Sequence, residues 1–262
     1  MRIVEPKIHL IAFTQLDEEG VKEWLDSIGG LRALDHVSGD DAEKLVEFAG
    51  RNCYRSFDVG INPNISKVRT DSEAYHRNIL NSAHGSVLEH ATCTFAFENI
   101  SRVFSHELVR HRVGMAFSQV SLRYVRLDDL TFWIPDIIAD NPEAMKVFEE
   151  VIAKCEWGQK ELARIYDIDN MKSFHEKKQL TSAFRRIAPI GVATGIVTTL
   201  NLRALRWVIQ MRTAAVAEVE IRKVFCEVYK IVREKYPYLF QDFVTEDTGD
   251  GLFEAKPSYV KV

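Results

Sequence analysis

Three stretches rich in β-branched and aromatic residues recur along the chain: RIVEPKIHLIAFT at the start, ATCTFAFEN from residue 91 and VATGIVTTLN from residue 192. Long helical patterns separate them at irregular intervals. A βαβ fold needs regular alternation, so the order excludes a doubly wound parallel sheet and predicts an α+β fold. No internal repeat appears and no Gly/Ser-rich linker divides the sequence, so residues 1–262 are expected to form a single domain. A chain of 262 residues buries enough apolar surface to need no disulfide staples.

Helical periodicity predicts a helix over 41–54 behind a capping aspartate, another in DSEAYHRNILNSA, and another through Ile100, Val103, Phe104, Glu107, Leu108 and His111. A long helix is expected just after Asn141-Pro142, and one long or two short helices over 203–235. HGSVLEH reads as a turn, and SAFRRIAPIG as the approach to the last strand-like stretch.

Composition narrows function. With 34 Lys and Arg against 38 Asp and Glu, the formal charge is -4, so recognition of a polyanion must be local. Cys53, Cys93, Cys155 and Cys226 form no CxxC pair, which points to reduced thiols rather than a disulfide framework or zinc site. The N-terminal stretch is broken by charges and has no small-residue cleavage site, and no apolar run reaches membrane-spanning length. A soluble cytoplasmic protein is expected.

The local cation supply lies in two segments. Residues 101–126 contain Arg102, Arg110, Arg112, Arg123 and Arg126 without a lysine. Residues 181–212 contain Arg185, Arg186, Arg203, Arg206 and Arg212 without lysine, aspartate or glutamate. Exclusive use of arginine suits planar, bidentate recognition of phosphate or a base edge. Arg212 falls at helical spacing from Leu205, Val208 and Ile209, so it needs an anionic or carbonyl partner on that apolar face. Arg203 and Trp207 share another face as cation and aromatic plane.

Other chemistries have less support. His84, His90, His106 and His111 lack metal-ligand spacing, so no metal is expected. Ser118 and Ser121 have no GxSxG elbow, and Cys53, although flanked by Arg51 and Arg55, reads as a buried structural cysteine. There is neither a GxGxxG nor a GxxxxGK[ST] loop, so a bound nucleotide would be held by arginines and side-chain amides.

The motifs RNCYRS (51–56), HGSVLEH (84–90), HELVRHR, SQVSLRY (118–124), RRIAP (185–189) and NLRALRWVIQMR…EVEIR (201–222) occur in the order found in flavin-dependent thymidylate synthases, which the chain resembles over nearly its whole length. The resemblance implies reductive methylation of deoxyuridylate to thymidylate, with 5,10-methylenetetrahydrofolate as carbon donor and NADPH as reductant through FAD. It also implies a mainly antiparallel sheet packed against long helices, and a homotetramer with shared active sites. It assigns Glu107, Arg110, Gln119, Val120, Ser121, Leu122, Arg123 and Arg185 to deoxyuridylate, with Arg212 as the catalytic group on the uracil ring. To FAD it assigns Ser86, Glu89, Arg110, His111, Arg112, Ser118, Gln119, Asn201, Leu202 and Arg203. Trp207 joins that set from a position where the family usually has asparagine or histidine. Eight residues rather than the usual seven separate RHR from Ser121. Competing readings of the same arginines are a nucleotide- or nucleic-acid-binding module without catalysis, and a flavoprotein reductase with another substrate. The resemblance calls for neither nucleic acid nor membrane as partner.

Overall fold

The computed structural model of the chain describes residues 1–124 and 129–259, so Arg126 lies outside the described residues. The expected opening strand is two strands, β1 (Arg2–Ile3) and β2 (Lys7–Phe13). Pro6, which has no N–H to give a ladder, lies in the break. Helix α1 (Glu18–Ser27), capped by Asp17, is not among the helices the pattern predicts. Helix α2 (Asp41–Tyr54) starts on a capping box: Asp40 accepts from Ala42 N at 3.1 Å, and Glu43 accepts from Asp40 N at 3.0 Å. Helix α3 (Ser72–Asn81) is capped by Asp71.

HGSVLEH forms a short 3-10 turn, Gly85–Glu89, before β3 (Thr92–Ser101). Helix α4 (Arg102–Leu108) is shorter than its periodicity predicts. Ile100 belongs to the strand, Ser101 caps the helix by accepting from Phe104 N at 3.0 Å, and His111 falls beyond its end. Next come β4 (Met115–Gln119), β5 (Thr131–Phe132), α5 (Asp136–Ala139), α6 (Pro142–Ile165) and α7 (Phe174–Phe184). Residues 182–184 therefore close a helix instead of approaching a strand. Strand β6 (Ala193–Asn201) leads directly into α8 (Leu202–Thr213), and α9 (Val219–Lys235) follows as a separate helix. Strands β7 (Phe243–Asp247) and β8 (Phe253–Pro257) pair antiparallel, whereas β1 and β5 pair parallel.

The architecture is α+β with helices and antiparallel sheet. The four-stranded sheet has the order β2-β3-β6-β4. Two compact units are distinguished, and each of these four strands has residues in both, which is why no linker marks a boundary.

The first unit comprises Met1–His9, Ala96–Arg110 and Phe117–Thr198. Its cores are Leu130, Phe132, Ile134, Ile152 and Val192, and Ala163, Ile168 and Phe184. The second comprises Leu10–Phe95, His111–Ala116 and Thr199–Val262. There Leu25, Ala33, Phe48 and Phe57 form one cluster. Leu202, Leu205, Val208 and Ile209 bury one face of α8 by their three-and-four spacing. Full burial of each such side chain contributes roughly 1.5–3 kcal/mol.

Candidate active site

In the second unit the site residues are organised by Asn201. Its side chain caps α8, accepting from Ala204 N at 2.8 Å, while its backbone N–H donates to Gly114 O at 2.9 Å. Gly114 has φ +71°, and a Cβ there would lie 2.4 Å from Asn201 Nδ2, so both conformation and space require glycine. The chain after RHR is thereby fixed beside the start of α8. Gly85 has a parallel role: a Cβ would lie 3.0 Å from Arg203 Nε, so its absence lets the guanidinium approach the 3-10 turn. Arg203 Nη1 donates to Glu89 Oε1 at 2.6 Å, in a pair whose side chains stay partly open to solvent.

Arg212, half-buried in the last turn of α8, donates through Nε to His111 Nε2 at 2.8 Å. Arginine only donates, so that nitrogen is unprotonated and the imidazole is the neutral Nδ1–H tautomer. One partner of Arg212 on the apolar face is thus an imidazole, 101 positions away in sequence. Arg206, from the same acid-free segment, is fully buried and grips Asp242 through two 2.8 Å bonds. Ser86, Arg112 and Trp207 are exposed. Leu202 is fully buried and gives its N–H to Ala91 O at 2.9 Å, so it presents no polar side chain or free N–H to a ligand.

In the first unit the SQVSLRY segment is tied to α4 and β6. Gln119 Nε2 donates to Ser105 Oγ at 2.8 Å, Arg102 Nη2 to Val120 O at 3.0 Å, and Val120 N to Gly195 O at 3.0 Å. Ser121 Oγ accepts from Arg123 N at 3.3 Å, an arrangement that turns the backbone, and nothing in it activates a nucleophile. Leu122 is buried, so only its backbone is available to a ligand. Arg110, Arg123 and Arg185 are exposed, whereas Glu107 is half-buried. Residues 115–119 form a strand that places Ser118 and Gln119 on opposite faces.

Sequence reasoning left Arg102 without a role. Burial first, and then the charge of Arg185, hold its guanidinium below the ordinary arginine value, and its buried Nε has no hydrogen-bond partner. Its place at the start of α4 within the lysine-free segment was the available signal. Crowded guanidinium groups of this kind favour an anion.

Cys53 corrects another expectation, because it is exposed. Its neighbour Arg51 is fully buried and bound to Glu47 and to the carbonyls of Ser56 and Arg69. Among the described residues, no group of three or more His, Cys, Asp or Glu is placed to hold a metal ion, and no helix is long and apolar enough to cross a membrane.

The second unit's donor set suits a flavin dinucleotide. A pyrophosphate would need forked donors of the kind Arg112 and Arg203 carry and a hydroxyl such as that of exposed Ser86, and the missing Cβ of Gly85 leaves room for the Arg203 guanidinium. Fold and donor set together define an α+β protein whose candidate phosphate donors are arginines, with no glycine-rich phosphate loop in the sequence. Over residues 34–238 the chain matches the thymidylate synthase complementing protein family, and it belongs to that family. It is 38% identical over 223 residues to a flavin-dependent thymidylate synthase of Corynebacterium diphtheriae, covering 84% of this chain and 86% of that protein. The enzyme of the same name from Corynebacterium glutamicum is 34% identical over 261 residues, covering 98% and 97%. The crystal structure of a UMP/dUMP methylase, PolB from Streptomyces cacaoi, bound with 5-Br dUMP, has the same fold at a TM-score of 0.61 and 16% identity, covering 91% of this chain and 95% of that one.

Proposed function

We propose that the chain is a flavin-dependent thymidylate synthase, converting deoxyuridylate to thymidylate with methylenetetrahydrofolate as carbon donor and NADPH as reductant. The observation that carries the reading is the Arg212–His111 bond inside a family match of this length: a cation set by a neutral acceptor on an otherwise apolar helix face. Such a preorganised guanidinium stabilises negative charge on the uracil ring as N3 loses its proton, which makes C5 the stronger nucleophile. Glu107, Arg110, Gln119, Val120, Ser121, Leu122, Arg123 and Arg185 hold the nucleotide. The guanidinium groups meet its phosphate, Leu122 and Val120 act through their backbone, and Glu107 accepts from a sugar hydroxyl.

FAD, when bound, supplies hydride taken from NADPH. Ser86, Glu89, Arg110, His111, Arg112, Ser118, Gln119, Asn201, Arg203 and Trp207 are its proposed contacts. Among these, Glu89 holds Arg203, and Asn201 sets the start of α8. Leu202 contributes by anchoring that helix. The working assembly is a cytoplasmic homotetramer with shared active sites, and the whole chain serves as one catalytic domain. Absorption of the purified protein tests the reading. Flavin bands bleached by NADPH, with thymidylate formed from deoxyuridylate and methylenetetrahydrofolate, are expected. A protein that takes up no FAD contradicts it.

A further inference from the structure

Helix α7 opens with Phe174, which is 69% exposed, and Tyr124 nearby is 56% exposed. Their rings are stacked, with centroids 6.2 Å apart and planes 17° apart. Two large parallel rings stacked on each other still leave apolar ring surface open to water, which a further flat group could cover. The surroundings are cationic. Lys178, one turn along α7, lies with Nζ 4.9 Å from the Tyr124 centroid, and its hydrogen bond to the phenol holds that group below its ordinary pKa. Lys177 and Arg123 line the same cleft of about 150 Å³, with Asp169 as its acid and Ile168 and Thr181 among its walls. Lys177 Nζ is bound at 3.4 Å to the Asp169 backbone carbonyl, which leaves its charge uncancelled by that bond. Three cations against one acid, a net of two positive charges, is a local reversal in a chain of charge -4.

We propose that this cleft binds the adenosine 2′-phosphate end of NADPH, the part that distinguishes it from NADH. The adenine ring extends the Tyr124–Phe174 stack at its outer face, and the dianionic 2′-phosphate is met by Lys177 and Lys178, Arg123 being committed to deoxyuridylate. A cleft of this size, well below the roughly 300–1,000 Å³ that encloses a whole drug-sized ligand, holds only part of the ligand, so the rest of the dinucleotide leaves it. The assignment rests on the proposed function for NADPH as the reductant. A folate glutamate tail carries related chemistry, an aromatic ring with anionic groups, and is the competing source.

Calorimetry with adenosine 2′,5′-bisphosphate on the flavin-loaded protein tests the site without turnover. Wild-type protein is expected to bind it more tightly than adenosine 5′-monophosphate. The double variant Lys177→Ala/Lys178→Ala, with unchanged circular dichroism, is expected to lose about tenfold or more in affinity, the scale of one lost charge-assisted contact. Its KM for NADPH should rise in proportion while the KM values for NADH and methylenetetrahydrofolate stay level. Tyr124→Leu should weaken the bisphosphate while sparing inorganic phosphate. Failure of wild type to bind, or equal binding by the double variant, overturns the proposal, as does a rise confined to the folate KM. Lysine-dependent binding in a protein that forms no thymidylate supports the cleft and contradicts the enzyme reading instead.

Discussion

Arginines of the second unit and arginines of the first are handled in opposite ways. On α8, Arg203, Arg206 and Arg212 are each engaged by a protein group: Glu89, Asp242 and His111. In the first unit, Arg110, Arg123 and Arg185 are exposed, and Arg102 is half-buried where Arg185 raises the local positive potential. The same residue type therefore does two kinds of work. Bound by neighbours, a guanidinium loses its freedom during folding and is already aimed when substrate arrives. Crowded by like charge, it keeps electrostatic attraction in reserve for an anion.

The contrast breaks most visibly at Arg206. Replacing it with alanine leaves Asp242 buried without its cation, and urea denaturation should show a loss of about 3–5 kcal/mol. A change near zero would mean that the fork is not structural. At Arg212 the expected loss is kinetic. Arg212→Ala should lower turnover about 10²–10³-fold, the scale of one lost charge-stabilising donor, while flavin absorption persists. Next comes Gly114, whose positive φ and contact with Asn201 make Gly114→Ala cost roughly 1–3 kcal/mol, with flavin content falling alongside the melting temperature. If stability is kept, the junction before α8 is more tolerant than its geometry indicates. Smallest is Arg185→Ala. Its melting temperature should stay level, because removal also relieves repulsion on Arg102, while deoxyuridylate affinity drops by about tenfold and loses part of its salt dependence.

Local rules carried the legible part of the fold. The capping box of α2 and the Asn-Pro start of α6 involve residues a few positions apart, so sequence shows them directly. Helix α1 escaped because Gly20 and its acidic first turn dilute the apolar period. Strand β4 carries alternating burial, but five residues inside an arginine motif give too short a pattern to read. In the site, spacing showed that Arg212 needs a partner, yet not that the partner is His111. The acid-free composition of residues 181–212 suggested ligand recognition for Arg206, whereas its carboxylate lies 36 residues on, outside that window. Sequence windows show which charges are supplied. Only the folded chain shows which are already taken.

Tritium release from C5-labelled deoxyuridylate, run on wild type and Arg212→Ala with flavin absorption recorded on both, tests most directly the claim that α8 presents a preset catalytic cation. The account predicts NADPH-dependent release by wild type and its near-complete loss in a variant that keeps its flavin. Equal release by both proteins, or none from flavin-loaded wild type, would contradict it.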